Sequence, residues 1–164
     1  MGDIQLLKYS AQETLYGKAW IAEGDSGICK LDFHISESEF IQRCREVYGE
    51  ISFDKQATQM HHQAVEAMEG KSGKLSVLVS AEGFRYQVWK QLCAIPYGQV
   101  SSYGDIAAKL GDKNASRAVG GAVGANPVAY LIPCHRVVQS DGHFGHFRWG
   151  EDLKKCMLAY EYFS

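Results

Sequence analysis

Apolar positions alternate in two short runs in the first third of the chain. Ala19-Trp20-Ile21-Ala22 and Ile28-Cys29-Lys30-Leu31-Asp32-Phe33 flank Glu23-Gly24-Asp25-Ser26-Gly27, which predicts a β-hairpin with a glycine-containing turn. The period then becomes helical. Ser36 and Glu39 form a capping box, after which Phe40, Ile41, Cys44, Val47 and Tyr48 share one helical face up to Gly49. A second helix is predicted from Thr58 to Glu69, stopped by Gly70, and Leu75-Ser76-Val77-Leu78-Val79 reads as a short β run. Ser80-Ala81-Glu82-Gly83 is the expected hinge between two halves.

Beyond the hinge the pattern is mostly helical. Phe84, Val88, Leu92 and Ile95 mark an amphipathic helix ended by Pro96-Tyr97-Gly98, and Ser102 with Asp105 caps a short helix carrying Ile106, Ala107 and Leu110 before Gly111. A tight turn leads to a helix over Ala115 to Ala125 made almost entirely of small residues. Each glycine there costs roughly 1 kcal/mol relative to alanine, so Gly120, Gly121 and Gly124 need a reason, and close approach of the backbone to another surface is the natural one. Two short helices joined by a tight turn suit a helix-turn-helix reader, and they suit a helix pair packed inside a core equally well.

With 164 residues, 46% of them hydrophobic, the chain can bury a core of one or two domains. The net charge of −2 hides an asymmetry: residues 1–80 carry 8 basic against 12 acidic side chains, whereas residues 81–164 carry 9 against 7. A nucleic-acid contact therefore belongs to the second half. No leader-like N-terminus and no apolar run approaching about 18 residues is present, which predicts no membrane association and a soluble, cytoplasmic protein, or a nuclear one in a eukaryote. Cys29, Cys44, Cys93, Cys134 and Cys156 are odd in number and form no C-x-x-C pair, as expected of reduced intracellular thiols.

The chemistry concentrates where Ala129-Tyr130-Leu131-Ile132 runs into Pro133-Cys134-His135-Arg136-Val137-Val138. A free thiol titrates near about 8.5, so a nucleophilic Cys134 calls for something that lowers it. In an extended stretch His135 points to the opposite face from Cys134, which makes a bridging water the natural link, and Glu161 on the last predicted helix can orient the imidazole. A Cys-His dipeptide alone is more often a buried, inert thiol than a nucleophile.

The run Arg117-Ala118-Val119-Gly120-Gly121-Ala122-Val123-Gly124-Ala125-Asn126-Pro127, followed by Ile132-Pro133-Cys134-His135-Arg136-Val137-Val138 and Arg148-Trp149-Gly150, closely resembles the O6-alkylguanine-DNA alkyltransferase family. The resemblance is strong from Phe84 to Glu161, including Gln87-Val88-Trp89 and Ile95 to Tyr103, and collinear but weaker over residues 1–80. It implies an α+β protein with a small ribonuclease-H-like structural domain (1–80). A mostly helical domain (81–164) follows, with a helix-turn-helix, winged-helix-like motif that binds DNA and accepts the alkyl group.

By this resemblance Cys134 is the acceptor of an alkyl group from O6 of guanine, and from O4 of thymine, in an irreversible single event. His135 acts through water, Glu161 polarises it, Tyr103 donates toward the base, and Asn126 holds the acceptor turn. Arg117 replaces the flipped base, and Ser102, Ala118, Gly121 and Ala122 meet the DNA minor groove. Val137, Phe147 and Arg148 line the guanine pocket, the first and last mainly through backbone, while Arg136 serves the scaffold near Asn126.

The implied partner is double-stranded DNA carrying O6-alkylguanine, bound by a monomer that needs no cofactor. Some relatives hold zinc; Cys29, His34, Cys44, His61 and His62 are irregularly spaced, and no metal is expected. Phe147 stands where tyrosine is usual and His146 where a small residue is usual, which bears on the size of alkyl group accepted. The competing readings are a non-catalytic alkyltransferase-like lesion binder, a cysteine hydrolase using Cys134, His135 and Glu161, and a helix-turn-helix regulator.

Overall fold

A computed structural model describes residues 4–71, 73, 75–79 and 82–164. The chain is of mixed α+β type, and its contacts cluster into two units, Met1–Ser80 with Pro127–Leu131, and Ala81–Asn126 with Ile132–Ser164.

In the first unit, β1 (Leu6–Thr14), β2 (Gly17–Glu23), β3 (Ile28–Phe33) and β4 (Ser52–Lys55) form one sheet in the order β3-β2-β1-β4. The predicted hairpin is β2 and β3, antiparallel with Ala19 opposite Phe33 and Ile21 opposite Leu31. β1 and β4 escaped the sequence reading. Alternation in β1 stops at Tyr9, because Ser10 is buried too: its hydroxyl lies 2.6 Å from His61 Nδ1. β3 is buried on both faces, so its polar positions are paired: Asp32 takes Lys30 and Arg43.

Two helices cover the sheet. α1 (Glu37–Tyr48) starts at Ser36, whose hydroxyl accepts from the Glu39 amide at 3.1 Å, and turns Phe40 and Cys44 into a core with Leu7, Tyr9, Trp20, Ala22 and Cys29. Val47, placed on that face by the spacing, is exposed. α2 (Gln59–Met68) is capped by Thr58 and buries His61, Ala64 and Met68. Of the β run predicted at 75–79, only Val77 forms a bridge, with Ile28; further along β3 the bridging partner is Val128, through Leu31. Of the expected hinge, Ser80 and Ala81 lie outside the described residues, and Gly83 opens the next helix.

Pro127–Leu131 comes from the second half of the sequence and packs in the first unit. The Leu31 amide donates to the Pro127 carbonyl and the Ala129 amide to the Leu31 carbonyl, both at 3.0 Å. Cys29 and Cys44 are core residues here, His61 bonds to Ser10 and the Lys8 carbonyl, and His34 lies 2.8 Å from the Tyr16 carbonyl oxygen. Among the described residues no group of three or more metal-ligating side chains converges.

The second unit holds α3 (Gly83–Cys93), α4 (Tyr103–Lys109), α5 (Ser116–Gly124), α6 (Glu151–Phe163) and a two-residue parallel pair, β5 (Ser101–Ser102) with β6 (Val137–Val138). α3 ends before Ile95, earlier than its apolar spacing predicts, with the Ala94 and Ile95 amides turning back to Gln91 and Leu92. Trp89 Nε1 donates to the Ala122 carbonyl at 2.8 Å, which fixes α5 against α3. A methyl group added at Gly121 or Gly124 would meet nothing within 4 Å, so internal packing does not account for those glycines. Among the described residues no helix is long and apolar enough to cross a membrane.

Candidate active site

Cys134 is set by two local turns. The Cys134 amide donates to the Ile132 carbonyl at 2.7 Å around Pro133 (φ −79, ψ 66), a relaxed γ-turn, and Cys134–Arg136 then makes one 3-10 turn. The extended conformation expected here is therefore replaced by a coil, closed by Arg136 N–H on the Pro133 carbonyl at 3.0 Å. Successive side chains of a 3-10 turn diverge by about 120° instead of 180°. Asn126, fully buried at the end of α5, donates from Nδ2 to the Ile132 carbonyl at 2.8 Å and to the Cys134 sulfur at 3.1 Å.

His135 is also fully buried, with Nε2 2.9 Å from Glu161 Oε2. Glu161, on the inner face of α6, is the centre of a wider cluster. Arg136 forks onto both its oxygens at 2.8 Å, with a third bond to the Ile95 carbonyl at 2.9 Å, and the Gly98 amide donates to it at 3.4 Å. Arg136, expected to serve the scaffold near Asn126, forms its salt bridge with Glu161. Burial pushes the Glu161 carboxyl up, but the hydrogen bonds and charges of His135 and Arg136 outweigh it and hold it well below the ordinary range. An ionised Glu161 accepts a proton-bearing Nε2, which assigns the other nitrogen, Nδ1, as the acceptor of the neutral imidazole. Burial also holds the imidazole below its usual value despite Glu161.

The Cys134 thiol runs against expectation. Burial pushes it up to about 11, offset only in part by the Asn126 amide, Lys154, its own backbone amide and Arg148. A thiolate deprived of water is costly, and one amide donor with nearby cations does not replace a hydration shell. Lys154, missed from the sequence, is fully buried with Nζ 2.6 Å from the Val137 carbonyl, and burial depresses it to about 8. A signal existed: Lys154 stands seven residues before Glu161 on the helix face that buries Leu153 and Met157.

We expect iodoacetamide labelling of Cys134 to climb about tenfold per pH unit from 7 to 8 and to keep rising to pH 10, where an ordinary thiol levels off above about 8.5. The climb should flatten above pH 8 as Lys154 loses its charge, and Lys154→Met should remove that break. Peptide mass spectrometry reads both; a plateau below pH 9 contradicts the thiol's environment.

Cys134 opens onto a cavity of about 520 Å³ whose wall includes Tyr103, Ser116, Arg117, Ser140, Phe147 and Trp149. That is within the range of small-molecule sites. Tyr103 is half-buried, and burial, with the thiolate charge of Cys134 adding to it, raises its hydroxyl, so it stays a proton donor. Arg117, Phe147, Arg148 and His146 all reach this cavity.

Val137 does not reach the cavity: it is fully buried and its carbonyl is taken by Lys154. Ser102 is engaged as the cap of α4, accepting from the Asp105 amide at 3.0 Å. Ala118 and Gly121 are exposed, whereas Ala122 is buried on the inner side of α5, where its carbonyl meets Trp89, because the helical period turns it inward beside Val119 and Val123. Ser116, Ser140 and Trp149 were not singled out beforehand as cavity-wall residues. The serines carry no distinguishing pattern in sequence.

The family model described as 6-O-methylguanine DNA methyltransferase, DNA binding domain, matches residues 83–163. The "Regulatory protein ada" of Salmonella typhimurium is 35% identical over 165 residues (98% of this chain, 47% of that protein), and the inducible methylated-DNA–protein-cysteine methyltransferase of Bacillus subtilis is 45% identical over 96 residues (57% of this chain, 54% of that protein). The chain spans about half the length of each of these two relatives. The Methanosarcina barkeri methylated-DNA–protein-cysteine methyltransferase is 34% identical over 155 residues, covering 93% of this chain and 96% of that one. Among solved structures, Mycobacterium tuberculosis OGT in complex with DNA matches with a TM-score of 0.79 and 28% identity over 94% of this chain and 92% of that chain. With a buried, amide-bonded cysteine at a cavity wall and collinear similarity along nearly its whole length, the chain belongs to the methylated-DNA–protein-cysteine methyltransferase family.

Proposed function

We propose that the protein repairs double-stranded DNA directly, moving the alkyl group of O6-alkylguanine, and of O4-alkylthymine, onto Cys134. The observation that carries this reading is the Cys134 sulfur, held by Asn126 Nδ2 at 3.1 Å on the wall of a cavity that also presents Tyr103 and Arg117. The thiol proton passes to His135, through water, while the Sγ–C bond forms in line and the O6–C bond breaks. The leaving electron pair settles on the guanine, which Tyr103 stabilises by proton donation. Glu161 stays ionised and keeps the imidazole in the tautomer that accepts.

Pushed up to about 11 by burial, the thiol is protonated at neutral pH, so transfer requires the proton acceptor as well as the sulfur. A thioether has no leaving path, so each molecule acts once.

Residues 81–164 form the DNA-binding and acceptor domain, with α4 and α5 as a helix-turn-helix of the winged-helix kind, and residues 1–80 form a ribonuclease-H-like structural domain. α5 lies in the minor groove: Ala118 and Gly121 are exposed, and Gly121 leaves the space above it open. Arg117 fills the gap left by the rotated base, offsetting part of a flipping cost of a few kcal/mol. The protein acts as a monomer without a cofactor. A lesion binder without chemistry has no use for a cysteine so placed, and the family membership counts against a hydrolase.

The test is a titration of protein against duplex DNA carrying O6-methylguanine. Restored guanine is expected to plateau at one equivalent per protein. Continued turnover, or none, rejects the reading.

A further inference from the structure

Between Asn126 and Cys134 the backbone makes two successive three-residue turns. One is the relaxed turn at Pro133. In the other the Leu131 amide donates to the Ala129 carbonyl at 2.8 Å, with Tyr130 at the centre at φ 68. A positive φ on a residue with a Cβ is the strained form of this turn, normally given to glycine.

Tyr130 is held there by its surroundings. The residue is 4% exposed, and its ring stacks on Tyr16 with centroids 5.7 Å apart and planes 28° from parallel, while Tyr16 in turn meets the edge of Phe33 at 6.5 Å. The chain just before it is pinned by the two backbone bonds to Leu31, with Val128 and Ala129 fully buried. Only Leu131, Ile132 and Pro133 then separate Tyr130 from Cys134, and the Asn126 amide catches both the Ile132 carbonyl and the Cys134 sulfur.

We propose that Tyr130, seated on Tyr16, is a positioning residue: the stack maintains the strained turn that delivers Ile132 and Cys134 to the Asn126 amide. The proposal rests on the reading of Cys134 as the acceptor. Without the stack, Tyr130 relaxes toward negative φ, the following residues shift, and the sulfur loses its amide donor. Thiolate formation then becomes harder, although every group in the cavity is unchanged.

The experiment compares the full chain with Tyr16→Leu and the conservative Tyr16→Phe. It follows iodoacetamide labelling of Cys134 by peptide mass from pH 7 to 10, thermal melting, and methyl uptake from O6-methylguanine duplex. Tyr16→Leu is expected to slow labelling at pH 8 about tenfold and to move the pH–rate curve up by about one unit, with methyl uptake slowed in proportion, while Tyr16→Phe stays within about twofold.

Equal or faster labelling in folded Tyr16→Leu, with only the melting temperature lowered, overturns the proposal. Should Tyr16→Leu fail to fold, Tyr130→Leu, which keeps the Cβ that strains a positive φ and loses the stacked ring, is measured the same way: about tenfold slower labelling supports the proposal and unchanged labelling overturns it. A wild type that labels as expected but takes no methyl from DNA sinks the acceptor reading and leaves the labelling comparison intact.

Discussion

Cys134→Ala is expected to abolish alkyl uptake while leaving affinity for undamaged duplex DNA within about twofold and the fold intact. The cavity wall offers other nucleophilic atoms, on Tyr103, Ser116 and Ser140, but serine hydroxyls hold almost no anion at neutral pH and burial raises the Tyr103 hydroxyl further still. Cys134 alone among these combines a polarisable sulfur with an amide donor aimed at it. The substitution is structurally mild. Asn126 keeps the Ile132 carbonyl as an acceptor, so its amide is not orphaned, and the small void left by the sulfur costs about 1 kcal/mol. Single-turnover transfer and electrophoretic binding on the same preparation separate chemistry from recognition. Measurable transfer by the alanine variant means another atom accepts the alkyl group.

Glu161→Ala should be the most destabilising single substitution in the second unit, by about 3–5 kcal/mol, or roughly 10 °C in melting temperature. It removes one carboxylate from three partners at once: the Arg136 fork, His135 Nε2 and the Gly98 amide. A guanidinium that is largely out of water is then left without its counter-charge. Transfer should also fall by about 10²–10³, because the imidazole is no longer held in the accepting tautomer.

The pH dependence follows from sign. The folded Glu161 carboxyl lies below its unfolded value, so its stabilisation is present above about pH 4.3 and is lost as the pH falls further. The gap in stability between wild type and variant is therefore widest near neutrality and narrows below pH 4. A gap that stays constant down to pH 2 contradicts the ionised hub.

Local chemistry made much of this legible. Ser36, Thr58 and Ser102 each mark a helix start, and each hydroxyl accepts a backbone amide three residues on. The hairpin was readable because both strands bury most of their length around a glycine-containing turn. β1 and β4 were not, since Ser10 breaks the alternation for a bond made fifty-one residues away, with His61, and β4 has no buried residue to give it a pattern. The 3-10 turn at Cys134 was equally hidden: Pro133 and the Asn126 amide impose it, and neither acts through periodicity.

Within the site, Tyr103, Arg117, Cys134, Phe147 and Arg148 meet at one cavity and Val137 and Ala122 do not, while the direction of the thiol's titration did not follow from the motif at all. Burial is a property of the assembled fold, and it outweighs the neighbours that spacing brings near. Ala122 shows the same limit on a smaller scale. Its small size suits a surface contact, and only the helical phase set by Trp89 reveals that it faces inward.

The central claim, that the alkyl group ends on the Cys134 sulfur, is tested most directly by peptide mass after incubation with duplex DNA bearing one O6-methylguanine. A gain of ~14 Da confined to the peptide carrying Cys134, in step with loss of methyl from the DNA, is the result expected of an activated sulfur nucleophile. An unchanged Cys134 peptide after the DNA has been demethylated, or a methyl group found on another residue, contradicts it.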